Sequence, residues 1–416
     1  MTSELPDRAL VLLGDQEVGV LVRTGEHSRF EPSQAWAELP AGERPILGQQ
    51  FEEDPYAAHV GRSRMGVPLW FEHLLPEVDG PLRAAVADAV DLSPARGFAL
   101  LLLLGRDLPG AVRVVPLDGD ISFRTVSRRV RESRGAEPDG SLPLRVSLAG
   151  VQFKISARVG KHGIAVPGWD EEGDWIVKFA DQAHADLPAI EYWTMTWAAE
   201  AGLVVPAVRL EETATIEGID RVRNVAGEHA FAIERYDRSQ GGRIHQEDFA
   251  QVLGLDAGEA KYRGTNVDTI VNVVARLARE DVDELLARIV FNVLAGNDDA
   301  HAKNWSLWYP RPTVARLSPA YDLVATLFFP QYQDNAMALK LAGARRFEEV
   351  DLRRFDSLAK ATNLNRDRVE GVVRTAVQRQ VAAWSVVRER PGIHAGLKQF
   401  IDERLSTLRL ARRGGA

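Results

Sequence analysis

The 416-residue chain contains no cysteine, so disulfides and thiolate metal sites are excluded and nothing points to an oxidising compartment. It also lacks any apolar run long enough to span a bilayer. The longest, Phe98-Ala-Leu-Leu-Leu-Leu-Leu104, falls far short of the roughly 20 residues a spanning helix needs. The basic stretch of a signal peptide is missing, since Glu4 and Asp7 precede only a brief apolar segment, Ala9–Leu13. Positive charge is not in excess either. A formal net charge of -8 argues against a protein that binds nucleic acid alone, because neutralising phosphates needs a basic face. With repeats and low-complexity tracts absent too, a cytoplasmic globular protein is expected. Its 45% hydrophobic content suffices for a sizeable core, and its length exceeds one ordinary domain.

Apolar residues over 9–13 and 18–22, separated by Gly14-Asp15-Gln16-Glu17, predict a β-hairpin. Residues 26–68, rich in Pro and Gly, read as irregular, and helical patterns follow at Trp70–Leu75, 81–90 and Phe98–Leu104. The polar stretch 132–142 reads as a loop or linker. Short β-type runs stand at Gly163–Val166, Trp175–Phe179, Val204–Leu210 and Ala230–Arg235, with a helix predicted from Leu187 to Ala201 and closed by Gly202. Beyond residue 240 helices dominate: Val282, Leu285, Leu286, Ile289, Val290 and Val293 keep the 3.6-residue period, as do Val369, Val373, Val377, Val381 and Trp384. A strand-rich region followed by a helix-rich one predicts two lobes with a ligand-binding cleft between them.

The segment richest in chemistry is Gly296-Asn-Asp-Asp-Ala-His-Ala-Lys-Asn304, directly after a predicted helix. Asp299, His301 and Asn304 form D-x-H-x-x-N. In kinase catalytic loops such an Asp accepts or orients the acceptor's hydroxyl proton, and the Asn holds a metal ion on the phosphates. Downstream, Asp322 in Ser318-Pro-Ala-Tyr-Asp322 offers a second hard oxygen ligand of the kind magnesium prefers. An isolated Asp-Asp pair would read as a helix cap, but this density of polar groups with a spaced Asp beyond it favours chemistry. A kinase also needs a strand lysine on the phosphates, steadied by a helix glutamate. Lys178, in the apolar run Trp175-Ile-Val-Lys-Phe179, and Glu191 on the following helix are the candidates. Ser147-Leu-Ala-Gly-Val-Gln-Phe-Lys154 fits neither G-x-G-x-x-G nor the Walker pattern, yet stands where a phosphate-covering loop belongs. Phe231-Ala-Ile-Glu-Arg-Tyr-Asp237 reads as a strand joining two lobes, which would set the backbone near Glu234 and Tyr236 against adenine.

Taken in order, these residues resemble the HipA family of bacterial serine/threonine kinases, toxins of type II toxin–antitoxin modules. The resemblance covers most of the chain. Trp70–Pro76 and Leu104–Ala111 are similar to the family's N-terminal subdomain. Ser147–Lys154, Glu234-Arg-Tyr-Asp-Arg238, Arg243-Ile-His-Gln-Glu-Asp248, Asn297–Asn304 and Tyr321-Asp322 are similar to its kinase core. It implies an α+β, bilobal protein-kinase-like fold. A small α/β N-terminal subdomain would occupy 1–135, an ATP-binding part 140–237, and a mostly α-helical C-terminal lobe 238–416.

The cofactors implied are ATP and Mg²⁺, with Asp299 catalytic and Asn304 and Asp322 as metal ligands. Lys178, steadied by Glu191, would contact the phosphates under a loop of Ala149, Gly150, Val151, Gln152, Phe153 and Lys154. Glu234, Arg235 and Tyr236 would line the adenine site, while His301, Lys303 and Tyr321 would flank the nucleotide. Ser147 matches the position where family members autophosphorylate, and the added negative charge would repel nucleotide. The partners implied are a small helix-turn-helix, HipB-like antitoxin that contacts DNA, and a protein substrate among the aminoacyl-tRNA synthetases, with no membrane involved.

The match has departures. Phe153 stands at a commonly charged position, and Lys261-Tyr262 matches a family motif only in part. Leu323-Val324 replaces Phe-Gly after Asp322 and no A-P-E element is evident, which argues against an activation-loop switch. Arg243–Asp248 carries no chemical role that the sequence itself reveals. Two other functions compete: a small-molecule kinase of the aminoglycoside-phosphotransferase type, and a catalytically silent co-repressor acting with a DNA-binding antitoxin.

Overall fold

The computed structural model describes residues 6–56, 66–78, 80, 83–84, 86–87, 93–117, 154–160, 163–165, 172–180, 183–219 and 225–414. Ser147, residues 149–153 of the expected phosphate loop, and the expected domain boundary near 135–140 lie outside them.

The predicted hairpin forms as β1 (Arg8–Leu13) and β2 (Gln16–Thr24), turning at Gly14, whose φ of 61° suits glycine. Alternation along β1 buries Ala9, Val11 and Leu13. β3 (His27–Pro32) and β4 (Val112–Pro116) complete an antiparallel sheet in the order β3-β2-β1-β4. Residues 26–68 are therefore not irregular throughout. They hold β3 and a helical turn at Gln34–Ala37; β3 is a short edge strand with only Phe30 buried, so its apolar alternation is faint. A turn at Leu69–Glu72 and the buried helix α1 (Gly97–Leu104) follow.

A second antiparallel sheet runs β6-β5-β7-β9-β8, built from β5 (Lys154–Gly160), β6 (Gly163–Ala165), β7 (Trp175–Ala180), β8 (Val208–Glu212) and β9 (Ala226–Glu234). The strand expected from Val204 begins only at Val208. Pro206 has no N–H to give a neighbour, and Val204 donates its own to the Glu284 carboxylate at 3.0 Å. The sheet's two faces belong to different cores. Ile155, Val177, Phe179, Ala230 and Ala232 join the core that holds Phe71, Leu100 and Leu101 from the N-terminal part. Phe231 and Ile233, one residue out of step, face the core of helix α2 (Leu187–Glu200) and the C-terminal helices.

Past β9 the chain makes the short pair β10 (Arg238–Ser239) and β11 (Gly242–Arg243). A three-stranded sheet follows, β12 (His245–Asp248), β13 (Ser306–Arg311) and β14 (Val314–Leu317). The C-terminal helices are α3 (Phe249–Leu253), α4 (Ala260–Arg263), α5 (Val267–Leu277), α6 (Val282–Ala295), α7 (Leu352–Ala361), α8 (Arg366–Val387) and α9 (Ala395–Thr407). α6 is buried on nearly every side, and Gly296 ends it in the left-handed region at φ 76°. That stop delivers Asn297–Asn304 to the cleft. Among the described residues no helix is long and apolar enough to cross a membrane.

Candidate active site

Between the five-stranded sheet and the helical part lies a cavity of about 1200 Å³. Lys154, Lys178, Glu191, Glu234, Arg235, Tyr236, Asp299, His301, Lys303, Asn304, Tyr321 and Asp322 all line it, so the structure brings together every described candidate.

Strand register explains the first cluster. β5 and β7 set Lys154 directly opposite Lys178, both buried on the face towards α2. Like charges opposite one another are unfavourable unless anions join them. Two carboxylates do. The Lys178 ammonium lies 2.5 Å from Glu191 on α2 and also bonds Asp322. Burial works against the Lys178 charge, but Asp322 and Glu191 outweigh it and hold its pKa above the ordinary lysine value. Burial likewise opposes ionisation of Asp322, yet Lys178 and Lys154 pull its carboxyl down to about 2. Glu191 is pushed up to about 7 by burial. Lys154 is lowered to about 8 by burial, Asp322 opposing and Lys178 adding, and among the described residues it has no ion pair.

The second cluster is the loop after α6. Asp299 opens onto the cavity, and the enclosing walls push its carboxyl up to about 6. The Tyr262 hydroxyl donates to its Oδ1 at 2.8 Å. Asn304 donates its amide N–H to the Asp299 carbonyl at 3.0 Å, which leaves its amide oxygen available as a ligand. Asn297 ties the two halves of the site: its Nδ2 donates to the Asp322 carbonyl at 3.1 Å and its Oδ1 accepts from the Asp299 amide at 3.2 Å. Asp322 itself holds φ 53°, a left-handed conformation costly for a residue with a Cβ and found mostly where the site demands it. His301 is buried with Nδ1 unpartnered, and burial lowers its pKa to about 3, so the ring is neutral.

The inter-lobe connection forms the third cluster. The backbone amides of Glu234 and Arg235 are spent on the Ala207 and Asp174 carbonyls, at 2.9 and 2.8 Å. The Tyr236 amide is left without a partner among the described residues. The Arg235 side chain turns away to Asp107 and Asp237, so only its backbone is open to a ligand. The Tyr236 ring stacks on Tyr321 at 5.7 Å, and the Tyr321 hydroxyl donates to the Lys303 carbonyl at 2.9 Å. The Lys303 ammonium reaches the His73 carbonyl at 3.4 Å.

These groups fit a nucleotide and a divalent cation. Lys154 and Lys178 place two positive groups side by side where phosphates would relieve their repulsion. Asp322 and Asn304 offer oxygen to a metal; among the described residues no group of three or more His, Cys, Asp or Glu is positioned to hold one. Magnesium suits such a sparse set, since it is usually held by one or two carboxylates together with substrate phosphates and water.

Several residues of the site were not singled out from sequence. Glu77 meets Lys261 at 2.6 Å on the cavity wall, and Tyr262 and Asn297 hold Asp299. The Arg243–Asp248 segment, chemically silent in sequence, is a docking strip for the N-terminal part. His245 Nε2 lies 2.8 Å from the Leu47 carbonyl, and the buried Glu247 carboxylate accepts from the Gln49 amide at 2.9 Å, from Trp70 Nε1 at 3.2 Å and from the Tyr309 hydroxyl. Asp248 caps α3 through a reciprocal bond with Gln251. Apart from the Asn297–Asp299 and Asp248–Gln251 bonds, these contacts join segments far apart in the chain and were not visible in one sequence.

Fold and site together define a bilobal, α+β kinase-like protein. Residues 9–115 match the model of the HipA N-terminal domain and residues 146–384 that of the HipA-like C-terminal domain. The chain belongs to the HipA family. It is 36% identical over 376 residues to a Sinorhizobium fredii protein named "Putative kinase Y4dM", covering 89% of each. It is 26% identical over 306 residues to the Shewanella oneidensis serine/threonine-protein kinase toxin HipA, covering 66% of each. A solved structure of Shewanella oneidensis HipA, in complex with HipB and operator DNA, superposes with a TM-score of 0.70 at 21% identity over 96% of both chains and shares the fold.

Proposed function

We propose that the chain is a Mg-ATP-dependent serine/threonine-protein kinase, the toxin component of a type II toxin–antitoxin system. One observation carries the reading: Lys178 is held between Glu191 and Asp322 in the same cavity as Asp299 and Asn304. That is the set a phosphoryl-transfer site needs, drawn from β7, α2, the loop after α6 and the segment after β14. ATP would supply the γ-phosphoryl group and magnesium would offset its charge. Asn304 and Asp322 would hold the metal, Lys178 and Lys154 the phosphates beside His301 and Lys303, and Glu234, Arg235 and Tyr236 the adenine. Asp299 would take the proton of the acceptor hydroxyl.

On this reading residues 1–135 form the N-terminal subdomain, 140–237 the ATP-binding part and 238–416 the catalytic lobe of a cytoplasmic enzyme. Ser147 is its autophosphorylation site. A HipB-like antitoxin would supply the DNA contact, by analogy with the Shewanella complex of HipA, HipB and operator DNA. The target would be a translation component such as an aminoacyl-tRNA synthetase.

The test is incubation with Mg-ATP, the Asp299→Asn variant alongside, and phosphate mapping by mass spectrometry. Phosphate on Ser147 in the wild type alone is the expected outcome. Phosphate passed to an added small-molecule alcohol, with none on the protein, would move the acceptor to a small molecule. ATP binding without turnover would leave the co-repressor role.

A further inference from the structure

Tyr262 stands at an unusual place for a residue outside the catalytic loop. Its hydroxyl is 2.8 Å from Asp299 Oδ1, the hydrogen bond that an acceptor hydroxyl makes with a kinase's catalytic carboxylate. The ring is not free to swing. It packs edge-on against His301 at 5.0 Å between centroids, and the Lys261 ammonium lies 5.0 Å from its centre. Lys261 is buried and anchored at 2.6 Å to Glu77, which comes from the N-terminal part. The short helix α4, which carries both residues, is thereby pinned against the cavity wall.

We infer that Tyr262 is a specificity-determining residue that holds the acceptor's place on Asp299, so that water is refused and only a hydroxyl delivered by a docked partner displaces it. The inference rests on the kinase reading of Asp299. A kinase must keep water, present at overwhelming concentration, from taking the phosphoryl group. Here a phenol from the chain itself engages the carboxylate that would otherwise draw a water's proton. The phenol is a poor competitor for a docked serine. Displacing it costs that hydrogen bond and part of the ring's packing on His301, which a protein surface binding at the mouth of the cleft can offset and a single water cannot. The Glu77–Lys261 pair adds a second control, since any shift of the N-terminal part loosens α4 and the tyrosine with it.

The experiment measures ATP hydrolysis without added acceptor, and Mg-ATP affinity by calorimetry, in wild type, Tyr262→Phe, Glu77→Gln and Asp299→Asn. Tyr262→Phe keeps the ring and its packing but frees Asp299. The expected result is hydrolysis raised roughly tenfold, the equivalent of one hydrogen bond to a charged group, with ATP affinity unchanged. Glu77→Gln is expected to raise it by less, and the double variant Tyr262→Phe/Asp299→Asn to abolish the gain. Hydrolysis equal to wild type in Tyr262→Phe, with wild-type turnover itself lost in Asp299→Asn, would overturn the role of Tyr262 while leaving the kinase reading standing. Lower turnover in Tyr262→Phe would make the tyrosine a positioning aid for Asp299 instead and would also overturn the inference. No turnover in any form would overturn both readings.

Discussion

At the scale of single residues, the site is organised by one ammonium group. Lys178 is charged because two carboxylates, the buried Glu191 and the half-buried Asp322, reach it, and the charge on each of them costs less because Lys178 is there. Removing the lysine would leave Glu191 and Asp322 facing one another with Lys154 as their neighbouring cation among the described residues. A proton is then expected to bind between them, weakening the metal ligation proposed for Asp322 as well as removing the proposed phosphate contact. Lys178→Ala should therefore lower Mg-ATP affinity by tenfold or more, measured by calorimetry on protein shown to be folded. Unchanged affinity would take Lys178 out of the nucleotide site. Lys178→Arg is not a neutral swap, because the planar fork cannot meet both carboxylates within the space of an ammonium.

At the scale of elements, local pattern and long-range pairing divide what was legible. Period and capping chemistry sufficed for the hairpin at 8–24, for α2 with Gly202 behind it, and for α6 and α8. They were insufficient for β3, where one inward Phe30 makes no pattern, and for the start of β8, decided by a contact with Glu284 from far along the chain. The catalytic loop was legible because its residues are close in sequence. Tyr262 and Glu77 were not, since what matters in each is a contact made in three dimensions, and Asn297, quoted within that loop, showed no role of its own in the sequence. β12 shows the same limit. His245 donates through Nε2 to the Leu47 carbonyl, which fixes the tautomer, and its buried Nδ1 has no partner among the described residues. Burial lowers the ring's pKa to about 4, against about 6.5 when unfolded. The unfolded chain thus binds more protons below pH 6.5, so stability contributed by this ring is present above that value and is lost as pH falls towards 4. Between pH 7 and pH 5 the loss from this one group is ~2 kcal/mol. Urea unfolding at both values should show it in the wild type, and a decline smaller by that amount in His245→Phe. Equal declines would mean that the ring is not what senses the proton.

At the scale of the whole molecule, the N-terminal part is built into the kinase core. One face of the five-stranded sheet shares its core with Phe71, Leu100 and Leu101 of the N-terminal part. The inter-lobe connection is gripped from the same side. Asp107 accepts from Arg235 at 2.9 Å and from Arg238 at 2.8 Å, while Asp237 binds both arginines and accepts from the Gly110 amide at 2.7 Å. These groups are buried, and the charge balance is close: two carboxylates for two guanidinium groups. Removing one carboxylate from such a network leaves an uncompensated buried charge, typically at a cost of roughly 3–5 kcal/mol. The loss would fall where Glu234, Arg235 and Tyr236 line the cavity. Asp107→Ala, a change at a residue that does not itself line the cavity, is therefore expected to lower both the unfolding midpoint and the affinity for ATP, while Asp107→Asn, which keeps one acceptor, should do less of each. A large fall in stability with ATP affinity intact would mean that the connection keeps its shape without the N-terminal grip. Affinity lost in step with the network would make residues 105–110 part of the nucleotide site although Pro109 alone among them lines the cavity.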